Sequence, residues 1–211
     1  MEMLSQRVDT AKVTIVQYVL LAWFFLALGA SVSGWFVNAP SQPPLALGLA
    51  VVVPILLFLF VSLTSHAFRH FVRSIDPVTI TALQFYRVLG GVAMLVLSSR
   101  NLLPAVFALP AGWGDVAIGV TAPLVALALA AGTSSGRVVF LIWNVLGMLD
   151  LIVAVSLGIL ASGISFGLLA STGSASVMTV FPMSLIPTFL VPLSFILHLI
   201  GLNQLRARSQ L

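Results

Sequence analysis

The chain has 211 residues, of which 60% are hydrophobic and only 7% charged, whereas soluble domains usually carry about a quarter charged residues. So few charges cannot cover a water-exposed surface, so an ordinary soluble domain is excluded. The formal charge of +4 comes from nine scattered Lys and Arg, too few and too dispersed for a nucleic-acid patch. With no cysteine, disulfides, thiol nucleophiles and Cys-ligated metal centres leave the list as well.

The first apolar run, Val13 to Val37, is longer than the hydrophobic region of a cleaved signal peptide and is followed by others like it, so it is expected to stay in the membrane. A stretch of about 20 apolar residues crosses roughly 30 Å of hydrocarbon as a helix. Spans are expected at 13–33, 44–64, 77–98, 112–131, 137–158 and 180–203. The segment NAPSQPP at 38–44 breaks the first two, GTSSG at 132–136 breaks the fourth and fifth, and Asp76-Pro77 offers an N-cap followed by a first-turn proline. The stretch 159–179, rich in Gly, Ser and Ala and free of charge, reads equally as a loop, a re-entrant hairpin or an extension of its neighbours. The fold expected is all-α: a polytopic transmembrane helical bundle of about six spans, one domain over 1–211, with both termini cytoplasmic.

Orientation comes from the cations. Arg7, Lys12, Arg69, Arg73, Arg137, Arg206 and Arg208 fall on the side of the N-terminus, Arg100 falls opposite, and Arg87 lies inside a span. Cytoplasmic loops are the ones enriched in Lys and Arg. Trp35 and Trp113, near expected outer ends, fit the interfacial preference of tryptophan, while Trp23 and Trp143 lie deeper. The general pattern is similar to that of small multi-span proteins of the bacterial inner membrane, the expected location.

Three ionisable residues fall where lipid should be: Arg87, Asp115 and Asp150. A charge at mid-bilayer costs about 2.5–3.5 kcal/mol on insertion scales, so such groups turn inward and pair. Arg87 is ten residues beyond Pro77 and Asp150 thirteen beyond Arg137, placing both roughly 15–20 Å from the same side at a rise of ~1.5 Å per residue. Arg87–Asp150 is therefore the expected central pair. Asp115, at the start of the fourth span, is expected above it near the outer interface, favoured there by the helix dipole. Gln84, Arg87 and Gly91 share one helical face, as do Asn144, Gly147 and Asp150. Asp115, Gly119, Ala122, Ala126 and Ala130 form a small-residue stripe, the kind that lets helices pack closely in lipid. The functional expectation is a small transporter- or channel-like protein that takes an ion or polar solute through a cavity lined by Arg87, Asp150 and Asp115, with Asn144 and Gln84 as further binding residues; the alternative is a non-transporting accessory or assembly subunit of a membrane complex, whose polar pair only locks the helices together.

Pro182, Pro187 and Pro192 recur in the sixth span, and interior prolines remove backbone hydrogen bonds and kink helices. Broken helices of this kind serve many transporters. Pro54 and Pro123 are further bend points. His66 and His70 lie in a segment whose Phe68, Phe71, Arg69 and Arg73 suit the membrane surface, and His198 is expected at the same side. These imidazoles offer a third reading, a haem or metal held by His198 with His66 or His70; the main reading calls for no cofactor. No Gly-x-Ser-x-Gly, His-Glu-x-x-His, phosphate-loop or dinucleotide signature occurs, so an enzyme is not expected. The partners expected are the lipid bilayer, other membrane helices or a second copy of the chain, and a small ion or solute, without nucleic acid.

Overall fold

The computed structural model describes residues 2–38, 42, 44–162 and 175–208, and these residues contain helices and turns but no strand. The helices are α1 (Glu2–Val32), α2 (Leu45–Thr64), α3 (His66–Ser74), α4 (Pro77–Leu83), α5 (Arg87–Ser99), α6 (Ala105–Ala130), α7 (Ser134–Leu160) and α8 (Val191–Arg208). A tighter turn, Gln84–Tyr86, joins α4 to α5, so Pro77–Ser99 runs as one span. A wide π-type turn, Ile186–Leu190, leads into α8. Among the described residues, six segments are long and apolar enough to cross a membrane: Thr14–Val32, Leu45–Thr64, Pro77–Ser99, Ala105–Ala130, Ser134–Leu160 and Ile186–Leu205. This is the make-up of a multi-pass membrane protein.

Burial separates the six. Only 11% and 6% of the α1 and α2 spans is buried, against 39%, 33%, 28% and 39% for the four that follow. The core is thus built by α4–α5, α6, α7 and α8, with α6 packed against α4, α5 and α7, and α7 against α8. α1 and α2 lean on the wide turn from outside. Trp23 and Phe24 of α1 meet Phe189 edge to face, at ring separations of 4.8 and 5.2 Å, and Ser31 is hydrogen-bonded to Ser184.

Two expectations about boundaries change. The fourth span starts at Ala105, seven residues before 112, because Pro110 lies within the first two turns of α6 rather than ahead of it. In the last span, Pro182 stands in the turn before it, Pro187 opens the wide turn and Pro192 is the second residue of α8. Proline supplies no N–H for the usual i to i−4 bond. Beside Pro192, the Val191 N–H reaches back five residues to the Ile186 carbonyl. Pro54 and Pro123 sit inside α2 and α6 without ending them. Of the stretch 159–179, residues 163–174 lie outside the described residues; the ends on either side meet, Ala175 N donating to the Ala161 carbonyl at 3.0 Å.

At the connection of α2 to α4, helix ends are closed by side chains. Ser65 accepts from Phe68 N, and Asp76 accepts from Val78 N and Thr79 N as an N-cap should. Arg69 donates to the Ser62 and Leu63 carbonyls at the end of α2. Gln204 of α8 donates to the Val72 and Ile75 carbonyls. Phe68 and Phe71 turn toward Val72, Ile80 and Ile200, so α3 buries its apolar side in the bundle and leaves His66, His70 and Arg73 exposed.

Candidate functional site

Two apolar clusters bracket the middle of the core. Met94, Phe107, Ala111 and Met178 belong to one; Ile118, Ala122, Phe140 and Trp143 belong to the other. Between them lies Arg87, 2% exposed, with four helices converging on its guanidinium. Its Nε donates to Asp115 Oδ1 of α6 at 2.8 Å, its Nη2 to Asp150 Oδ2 of α7 at 2.5 Å, and its Nη1 to His198 Nε2 of α8 at 3.1 Å. The planar fork of an arginine suits this task, since its donors point in set directions and never lose their charge at ordinary pH.

The polarity of the histidine follows from its neighbours. Every guanidinium nitrogen is a donor, so His198 Nε2 accepts, and the ring proton sits on Nδ1. That proton is donated to Asn144 Oδ1 at 3.0 Å. Asn144 in turn donates its amide to the Phe140 carbonyl at 2.8 Å, which sets the orientation of its side chain. Trp143 lies 5.0 Å from the His198 ring and donates to Thr121. His198 and Asn144 are 0% and 1% exposed, so this chain holds Arg87 from the side opposite its carboxylates without adding charge.

The close approach depends on absent side chains. A Cβ on Gly147 would stand 2.3 Å from His198 Nε2, and one on Gly114 would stand 1.7 Å from Asp150 Oδ1. The α5–α6 seam is equally tight, with a Cβ on Gly91 falling 2.6 Å from the Gly112 carbonyl. Small residues here let polar groups reach across helices that would otherwise stand farther apart.

Beside Arg87 and Asp115 is a small cavity with about 10 Å³ of space for a water's centre, bordered by Tyr86, Gly90, Ser194 and Leu190. That is the room one water needs. Tyr86 shares a 2.6 Å hydrogen bond with Ser194 at its wall. One guanidinium against two carboxylates leaves the cluster one negative charge if both are ionised, and a dry interior does not tolerate that charge without a counter-ion or a proton.

Of the residues expected at the site, Arg87, Asp115 and Asp150 come together directly, and Asn144 joins them through His198. Asp115 corrects the expectation: it lies at the depth of Arg87, ten residues into α6, and so has no helix terminus beside it. Gln84 is buried one turn before Arg87 but outside this network, with its Oε1 unpartnered. His198 does not group with His66 and His70; its two ring nitrogens are taken by Arg87 and Asn144, leaving none for iron or another metal. Among the described residues no trio of His, Cys, Asp or Glu stands at metal-binding distance. Tyr86, Gly114 and Ser194 escape sequence reasoning, as does the inward role of His198. One signal for the latter exists: Ser194, His198 and Gly201 follow at four and three residues and so share a helical face.

Residues 44–206 match the family described as a domain of unknown function, DUF8737, a stretch holding every member of the cluster. No curated protein and no solved structure matches the chain.

Proposed function

We propose that this chain, which belongs to the DUF8737 family, is a small transporter- or channel-like protein. In this reading the cluster of Arg87, Asp115, Asp150 and His198 binds or passes a small ion. One observation carries it: a single buried guanidinium is shared by two carboxylates, where a lock between helices needs only one. The unbalanced charge calls for a proton or a small cation. A cavity with room for one water favours such an ion over a larger polar solute. The broken sixth span, one wall of that cavity, is the element suited to move. The cation distribution favours cytoplasmic termini, and the general likeness to small multi-span proteins favours a bacterial inner membrane; reporters fused to the two ends should then read the same side.

The experiment is flux in liposomes. Purified protein should dissipate an imposed proton or sodium gradient faster than protein-free vesicles, and Asp150→Asn, checked for folding, should lose that activity. An unchanged flux in the folded variant removes the reading.

A second reading has its own support. All three nitrogens of Arg87 have partners, and the network ties α5, α6, α7 and α8 together, as expected of a non-transporting subunit whose polar core serves folding. A partner protein retained in fixed ratio through mild-detergent purification, with no flux in liposomes, would favour it.

A further inference from the structure

Asp115 and Asp150 flank the same guanidinium yet open onto different surroundings. Asp115 borders the small cavity with Tyr86 and Ser194. Asp150 does not border it, although its side chain is 14% exposed. That exposure is on the outside of the bundle, between α6 and α7. One turn to either side of Asp150 along α7, Leu146 and Val153 are exposed, and Trp113 is exposed beside Gly114 on α6. Gly114 forms the notch: Asp150 Oδ1 fills the place its Cβ would take, while Oδ2 is held by Arg87.

The groove lies at hydrocarbon depth. Asp150 is sixteen residues from Ser134 and ten from Leu160, roughly 24 Å and 15 Å along the helix axis. An ionised carboxylate facing lipid tails is far costlier than one facing a water-sized polar cavity, whereas a neutral carboxylic acid is tolerated in both places. The charged and titratable groups around Asp150 are Arg87 on α5, Asp115 on α6 and His198 on α8, and the histidine is held neutral by its hydrogen bonds.

We infer that the ion of the cluster is a proton, and that Asp150 carries it on Oδ1 in the lipid-facing groove between α6 and α7 while Asp115 stays the ionised partner of Arg87. This rests on the ion-handling reading above and narrows it. It makes Asp150 a modification site for apolar carbodiimides. In that reaction the carboxyl oxygen bonds to the carbodiimide carbon, the acid proton moves to a carbodiimide nitrogen, and no group leaves.

The test treats the whole protein in liposomes with dicyclohexylcarbodiimide and, in parallel, with a water-soluble carbodiimide, and locates adducts by peptide mass spectrometry. The expected result is an adduct on Asp150 and none on Asp115, formed about ten-fold faster or more with the apolar reagent, which concentrates in hydrocarbon. Asp150→Asn should abolish it, and the comparison of the two reagents on the unaltered chain stands without that variant. An adduct on Asp115 instead, equal rates with both reagents, no adduct at all, or protection by sodium at constant pH overturns the inference. Flux measured on the same vesicles separates the two levels. An Asp150 adduct in vesicles without flux keeps the protonated carboxyl and sinks transport; flux with no adduct sinks the assignment of Asp150 alone.

Discussion

Asp150 Oδ1 occupies the position that a Cβ would take on Gly114, at 1.7 Å from that point. The carboxylate that reaches Arg87 from α7 therefore passes over the bare backbone of α6, and the third bond of the guanidinium cluster exists only because residue 114 has no side chain.

Gly114→Ala follows directly. The added methyl must push Asp150 off Arg87 or part α6 from α7. Overpacking a tight interior typically costs about 1–3 kcal/mol, and a disturbed buried ion pair adds to that. Thermal unfolding in detergent should show a clear loss for Gly114→Ala. Gly29→Ala, where nothing lies within 4 Å, should be neutral or slightly stabilising, since alanine is the better helix former. Equal melting of the two variants would contradict the geometry.

Arg87→Met leaves two carboxylates facing each other without a cation. Removing one partner of a buried ion pair costs about 3–5 kcal/mol, whereas replacing the whole group by uncharged residues can be nearly neutral. Unfolding by denaturing detergent should therefore rank Arg87→Met as the least stable. The triple variant that adds Asp115→Asn and Asp150→Asn should recover most of the loss. No recovery in the triple variant would mean the cluster is not the charge-coupled unit described.

His198 should be neutral and protonated on Nδ1, because Arg87 can only donate to Nε2 and Asn144 Oδ1 can only accept. Nitrogen-15 NMR of histidine-labelled protein, with His198 assigned by substitution, reads this tautomer directly. In Asn144→Ala the Nδ1 proton loses its acceptor, at a cost of about 1–3 kcal/mol for a buried donor, and the Nδ1 resonance should shift. A proton found on Nε2 in the unaltered chain would overturn the hydrogen-bond order of the cluster.

Much of this was legible in the chain itself. Asp76-Pro77 is a local capping signal and starts α4 as read. Gln84, Arg87, Asn144 and Gly147 are all buried, as their helical spacing implied. Where reading failed, the missing information was long-range. Pro110 serves equally well as a break before a helix or as a residue of its second turn. Only packing of the 105–111 segment against α5 and the turns beyond α7 chooses the second, and with it the depth of Asp115. The inward turn of His198 was missed for a related reason: the face it shares with Ser194 and Gly201 is only weakly polar, and the partner that draws it inward, Arg87, lies on another helix.

The sequence by itself determined the membrane-crossing character of the chain, its six spans and the presence of three charges well inside their ends, because hydropathy and helix length act locally against the thickness of a bilayer. The tertiary structure alone decided that Arg87 holds both carboxylates and a neutral histidine at once. That arrangement depends on how closely four helices approach, and the approach is set by missing side chains at Gly91, Gly114 and Gly147, whose consequences appear only when a neighbouring helix is in place.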